Sequence, residues 1–231
     1  MKKYFLFINM VGIFLLSGCG SKILSKEDAY PKMYSERPVS ILVVPAINES
    51  SAADAPDLYS STINEPLSNA GFYVLPIEVT NNFLRNEGLT DGAQIKNVPP
   101  QKFAEIFGAD AVFYATIKSW DTDYYVVAGS VKVGIQYELV SCITGETLWR
   151  NEKEITVDTS SGADGYLGVV LTALETATQD YVPIARDVNI QALNYIPLGK
   201  YNRNYDLDRT TPAGIELPKG SFLPETIPFP L

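Results

Sequence analysis

Catalysis needs side chains that attack, move a proton or hold a metal, and this chain is poor in them. Its 231 residues contain no histidine and two cysteines, Cys19 and Cys142. Without histidine there is no Ser-His-Asp triad, no Cys-His pair and no ordinary zinc site. Carboxylates are plentiful, and Asp54 with Asp57, Asp121 with Asp123, and Glu152 with Glu154 stand two or three positions apart. Paired carboxylates can hydrolyse a glycoside when they flank the sugar at a fixed separation, so a carboxylate hydrolase is one reading. Such spacings also arise by chance among 27 acidic residues, where they serve as helix caps and solvated faces. The run GADGYLG sets Gly162, Gly165 and Gly168 three apart. It has neither the spacing of a dinucleotide fingerprint nor the lysine of a phosphate loop, and it reads as a flexible entry to a helix. The sequence therefore supplies no catalytic residue, no metal ligand and no cofactor site.

Cys19 is the exception. It closes the run Leu16-Ser17-Gly18-Cys19, which follows Lys2, Lys3 and the apolar stretch Tyr4 to Leu16. That stretch falls short of the about 20 residues of a membrane span and has the length of the apolar core of a secretory signal. The four residues resemble the bacterial lipobox, in which the cysteine takes a diacylglyceryl group and the chain is cut between Gly18 and Cys19. The reaction needs a thiol nucleophile, and several acyl chains on one residue anchor a protein without a spanning helix. The covalent lipid on Cys19 is the only non-protein group expected. Gly20 and Ser21, not an aspartate, follow the cysteine, which favours the outer membrane, with the domain facing the periplasm.

Loss of Lys2 and Lys3 with the signal leaves 16 basic against 27 acidic side chains, a net charge of −11. That balance argues against nucleic acid and against electrostatic docking to anionic lipid. With Cys19 acylated, Cys142 has no disulfide partner within the chain, and a lone thiol is safest buried.

The elements follow from periodicity. Residues 1–18 are the signal, 19–38 a polar tether, 39–195 an α/β domain and 196–231 an extended tail with six prolines. VSILVVPAIN is rich in β-branched residues and suits a strand buried on both faces. Asp54 and Asp57 have the spacing of a capping box, ahead of a helix through Tyr59, Ile63, Leu67 and Ala70 that Gly71 stops. FYVLPIEV reads as a second strand and residues 81–88 as a short helix. Pro99 and Pro100 open another helix, with Phe103, Ile106 and Phe107 inward and Gly108 as its stop. DAVFYATIKSWD is a long strand. SVKVGIQYELV alternates Val131, Val133, Ile135, Tyr137 and Leu139 with polar residues, as a half-wet antiparallel strand does. A turn at 143–146 leads into TLWRNEKEITV. A stripe of Leu167, Val170, Leu171, Leu174, Ala177, Tyr181 and Ile184 marks a long helix that Pro183 should kink. The expected fold is α/β: a mixed sheet of about five strands, parallel at the start and an antiparallel meander at the end, flanked by helices.

The lipobox, ILVVPAIN, AEIFGADAVFYATIKSWDTDY and LVSCITGETLWRNE together resemble domain-of-unknown-function family 799 of bacterial lipoproteins. The resemblance covers most of 39–195 and is densest over 103–152. It implies a fold similar to the TolB amino-terminal domain and the CsgG periplasmic domain, and a CsgG-like lipoprotein as a candidate partner. It implies no catalytic residue.

Trp120, Tyr124, Tyr125 and Trp149 could form a partner platform or pack as core and cross-strand pairs. Tyr124 and Tyr125, beside a polar turn, are the better surface candidates. Phe222 and Phe229 of the tail are further candidates, docking either on their own domain or on another subunit. Two classes of function stand at this point. One is a non-catalytic lipoprotein that binds envelope proteins as an assembly or accessory factor. The other is an envelope hydrolase, and a binder or activator of cell-wall machinery is not separable from the first. A homo-oligomer is left open.

Overall fold

The computed structural model describes residues 23–125, 128–158 and 182–216, with backbone alone for 121–125, 128–131, 157–158 and 216. Gly18, Cys19, Phe222, Phe229 and most of the 160–195 helical stripe lie outside the described residues, as do the side chains of Tyr124 and Tyr125.

The chain opens with β1 (Ile23–Ser25), α1 (Lys26–Ala29) and α2 (Pro31–Glu36), then enters the sheet at β2 (Ser40–Val43) and β3 (Ile47–Asn48). α3 (Ala55–Asn69) leads to β4 (Tyr73–Val74), and α4 (Ile77–Asn86), α5 (Gly92–Ile95) and α6 (Pro100–Phe107) follow. The meander is β5 (Ala111–Tyr125), β6 (Ala128–Ser141) and β7 (Thr147–Asp158), and the described chain ends with α7 (Val182–Leu193) and β8 (Pro212–Glu216). Six strands form one mixed sheet in the order β4-β2-β5-β6-β7, with β3 also beside β5. β2 runs parallel to β4 and β5, and the meander is antiparallel, as the sequence leads one to expect.

The sheet separates two apolar layers. Ile41 and Val43 point into the larger one, with α3, α7, α1 and α2, whereas Leu42 and Val44 point into the smaller one, with α4, α5 and α6. β2 is therefore dry on both faces, which its unbroken apolar run requires. In β6, Val133, Ile135, Tyr137 and Leu139 are fully buried in the larger layer. A bulge between Ile117 and Ser119 changes the alternation of β5, so that Ile117 and Trp120 both enter that layer. Across it runs a buried polar chain: Tyr137 Oη donates to Asn189 Oδ1 at 2.5 Å, and Asn189 Nδ2 donates to Thr62 Oγ1 at 2.8 Å. It fixes α7 and α3 against the sheet by hydrogen bonds as well as by apolar contact. Asp110 does similar work at the start of β2, accepting from Val39 N at 2.9 Å, Ser40 N at 2.8 Å and Ser40 Oγ at 3.0 Å.

Several local expectations change. FYVLPIEV gives only the two-residue β4, because Pro76 lacks an N–H and the residues after it bury Ile77, Thr80, Asn81 and Leu84 at helical spacing. α5 is additional, started by Asp91, whose carboxylate accepts from Ala93 N at 2.9 Å. Asp54 precedes α3 without a side-chain cap; its carbonyl accepts from Asp57 N and Leu58 N instead. α6 stops at Gly108 in the left-handed region, as expected, but Ile106 is 53% exposed rather than inward. Ile184 is buried on α7.

The largest differences are at the two ends. Residues read as a tether and a tail are folded from Ile23 and as far as Glu216. β1 pairs with β8 as a second, two-stranded sheet. Leu24, Tyr30 and Met33 join the larger core, as do Ile196 and Ala213. The tail also closes α3. Gly199 N donates to Ala70 O, Tyr201 N donates to Gly71 O, and Asn202 Nδ2 donates to Asn69 O, so the carbonyls a helix end leaves open are satisfied by the tail. The backbones approach so closely that a Cβ on Gly199 would lie 2.5 Å from Gly71 O.

Cys142 is 1% exposed, in the smaller core. Burial, with the Asp110 charge behind it, pushes its thiol up to about 12, so it stays protonated and unreactive. A thiol reagent should leave Cys142 unmodified in the folded protein and label it fully in denaturant, as read by mass spectrometry. Rapid labelling without denaturant would contradict this placement.

Candidate functional site

The described residues bring charge chemistry together where the chain enters and leaves. Lys26, in the first turn of α1, has its side chain 6% exposed, and so does Asp208. Lys26 Nζ donates to Ile196 O at 2.8 Å and to Asp208 Oδ2 at 3.2 Å. The same Oδ2 accepts from Leu198 N at 2.9 Å. Backbone bonds from Lys26 N to Thr211 O and from Glu27 N to Arg209 O extend the tie. Arg209 bridges Glu27 at 2.5 Å and Asp206 at 2.6 Å, and its guanidinium lies 4.6 Å from the centroid of the Tyr34 ring. Burial, then the facing Asp208 carboxylate, raises the Tyr34 hydroxyl above its ordinary value. A shallow cleft opens beside this clasp, lined by Met33, Tyr34, Arg37, Phe72, Leu198 and Tyr205 among others, with room for little more than a water molecule. Opposite charges are matched throughout, so the clasp acts as a tie between chain ends.

The β1–β8 ribbon also lies between two of the sequence candidates. Ile23, four positions after Cys19, is the register partner of Glu216, six positions before Phe222. Cys19 and Phe222, both outside the described residues, thus stand in sequence next to the two strands of one ribbon.

Tyr124 and Tyr125 are elsewhere. They end β5 at the hairpin into β6, where Tyr125 pairs with Ala128. Tyr30 Oη bonds Arg150 O at 3.2 Å, and Arg150 is paired through Glu138 with Tyr114. From that rung to Tyr125 the strand runs eleven residues, about 36 Å at 3.3 Å each. The other two aromatics considered as a platform, Trp120 and Trp149, are each 1% exposed and belong to the core.

The acid pairs do not form a reaction centre in what is described. Asp54 and Asp57 are exposed, with Asp57 3.6 Å from Arg85. Glu152 and Glu154 are exposed on β7, and Glu154 pairs with Lys132 at 3.0 Å. The side chains of Asp121 and Asp123 lie outside the described residues. A carboxyl becomes a general acid when it is buried or set beside a like charge, whereas Asp54, Asp57, Glu152 and Glu154 are exposed. Glu138 shows the competition: partial burial pushes its carboxyl up, but hydrogen bonds from Lys96 and Thr147 and the charges of Lys96 and Arg150 hold it below its usual value. Among the described residues no group of three or more Cys, Asp or Glu is placed to hold a metal ion, and no helix is long and apolar enough to cross a membrane.

Sequence reasoning missed Lys26 and Asp208 because both stand in segments that look polar. The signal was present in KILSKEDAYPKMY, where Ala29 with Met33 and Tyr30 with Tyr34 have helical i, i+4 spacing.

The described domain is a mixed sheet with helices on both faces, its entering and leaving segments clasped together. The chain belongs to the GNA1162-like family, described as "Putative lipoprotein GNA1162-like", which matches residues 28–197. It is 32% identical over 169 residues to the "Putative lipoprotein NMB1124/NMB1162" of Neisseria meningitidis serogroup B (strain ATCC BAA-335 / MC58), covering 73% of this chain and 78% of that one. The crystal structure of lipoprotein GNA1162 from Neisseria meningitidis aligns with a TM-score of 0.52 and 35% identity, over 60% of this chain and 96% of that one. The PelC dodecamer from Paraburkholderia phytofirmans aligns with a TM-score of 0.44 and 16% identity, over 75% of this chain and 92% of that one. The family match stops short of Lys26 and Asp208, so the clasp lies at and beyond its borders.

Proposed function

We propose that the protein is a non-catalytic lipoprotein of the outer membrane, anchored through lipid on Cys19 and facing the periplasm. It works by protein–protein contact, as an assembly or accessory component of an envelope or secretion-type complex. The observation that carries this reading is membership of a lipoprotein family over 28–197 in a chain that spells a lipobox at 16–19. The exposed setting of Asp54, Asp57, Glu152 and Glu154 supports contact rather than hydrolysis. The hairpin carrying Tyr124 and Tyr125, and the tail carrying Phe222 and Phe229, are the surfaces for such contacts. A CsgG-like lipoprotein is the partner class implied by the sequence resemblance, and another copy of this chain is the alternative.

The test combines lipid labelling with cross-linking in cells. Cys19→Ser should abolish incorporation of labelled palmitate and remove the protein from the outer-membrane fraction. A photo-cross-linker at Tyr124 or Phe222 should capture a discrete envelope protein in the acylated form. Palmitate on the Cys19→Ser protein would overturn the anchor. Cleavage of cell-wall glycan by the purified protein, lost on changing Asp121 or Asp123 to the amide, would overturn the non-catalytic reading.

A further inference from the structure

Only three residues stand between Cys19 and the first described strand. Four peptide links span at most about 14 Å, whatever their conformation. A compact domain of about 200 residues has a radius of gyration near 16 Å. The leash is thus shorter than the domain's own radius, and a domain held so closely must rest on the lipid surface with the face that surrounds Ile23.

The register identifies that face. In β8, Ala213 is buried and Ile215 packs against the core, whereas Pro212 and Gly214 are exposed. Ile23 pairs with Glu216 and Ser25 with Pro212, which places Ile23 and Ser25 on the same outward side while Leu24 is fully buried. Gly214 leaves room there for an aromatic ring: a Cβ on it would lie 2.6 Å from Cδ1 of Tyr195. The outward face of the ribbon therefore carries an isoleucine 57% exposed and a tyrosine 41% exposed, the isoleucine four residues from Cys19. Tyrosine, with an apolar ring and a polar tip, suits the level of the headgroups.

Resting on the lipobox reading, we propose that the outer face of the β1–β8 ribbon lies against the membrane, with Ile23 and Tyr195 seated among the lipid headgroups. The net charge of the mature chain, −11, means that the contact is enforced by reach and apolar area rather than by charge, so it does not weaken in salt.

The experiment uses the full acylated protein in vesicles of phosphatidylethanolamine and phosphatidylglycerol. Ile23→Cys, Tyr195→Cys and Glu105→Cys each carry an environment-sensitive fluorophore, with buried Cys142 unlabelled. Glu105 is exposed on α6, which covers the opposite side of the sheet from Leu24. Lipid spin-labelled at the headgroup should quench positions 23 and 195 several-fold more than position 105, equally at 0.1 and 1 M salt. Equal quenching at all three positions would overturn the proposal. So would protection of position 23 from a soluble quencher in native membranes but not in vesicles, since a protein would then cover the face. Palmitate content of the same samples separates the two ideas. Absent palmitate means the lipobox reading has failed, and acylated protein without quenching at 23 and 195 means the orientation has failed.

Discussion

Asp208→Ala should lower the stability of the domain by about 3–5 kcal/mol, the range for removing one partner of a buried ion pair. The loss has a specific origin. Asp208 Oδ2 meets both Lys26 Nζ and Leu198 N, and alanine would leave an ammonium with a side chain 6% exposed and, among the described residues, no anion in ion-pair reach. Ile196 O would remain as its protein acceptor. For a domain of this size the effect is a melting temperature roughly 6–20 °C lower, and urea unfolding would give it directly. The double variant Lys26→Met/Asp208→Leu should recover much of the loss, because it removes the uncompensated charge along with the pair. A loss below about 1 kcal/mol in the single variant would mean that the pair is hydrated in solution, as surface pairs are.

Trp149→Ala should cost a similar amount, about 3–5 kcal/mol, through lost burial and the cavity left behind. Trp149 is 1% exposed at the centre of an aromatic cluster. Its ring stacks on Phe113, with centroids 6.3 Å apart and planes at 18°, and lies tilted against Tyr137 at 6.4 Å and Tyr30 at 6.5 Å. Because Tyr30 belongs to the entering segment, alanine here should also expose residues 23–37 to protease earlier than the sheet. Trp149→Phe should cost less than half as much: it keeps a ring in the cluster and removes an indole N–H that has no hydrogen-bond partner among the described residues. A Phe variant as unstable as the Ala variant would show that the indole's full width, rather than ring stacking, sets the packing.

These two positions show what could be read in the sequence. The meander was legible because β6 alternates without interruption and because ITGE has turn chemistry; Val133 to Leu139 are buried as the pattern requires. The parallel start was legible in the dense β-branched run of β2. The clasp was not, since its parts are some 180 residues apart and each half looks hydrophilic by itself. Lysine and aspartate read as solvated unless their partner is known, and that partner is a tertiary fact. The same holds for Gly71 and Gly199, which look like two unrelated turn residues until the backbones meet. β4 failed for a local reason: FYVLPIEV is apolar throughout, and only Pro76 marks where strand period gives way to helix period. Of the proposed surfaces, Tyr124 and Tyr125 were placed at a turn by sequence and end a strand at a hairpin.

Pairing the first strand with the last one also decides how the molecule responds to tension. Suppose a partner tugs on the domain while the acyl chains hold Cys19. The pull enters at Ile23 and reaches β8 through the β1–β8 ladder. A residue further on, the Lys26 bonds hand it to Asp208 and to Ile196, just beyond α7. Residues 196–216 therefore take up the strain before the six-stranded sheet does. A pull along β1 shears its ladder bonds together, whereas a sideways pull parts them one at a time, so the angle of the pull sets how firmly the first and last described strands stay joined.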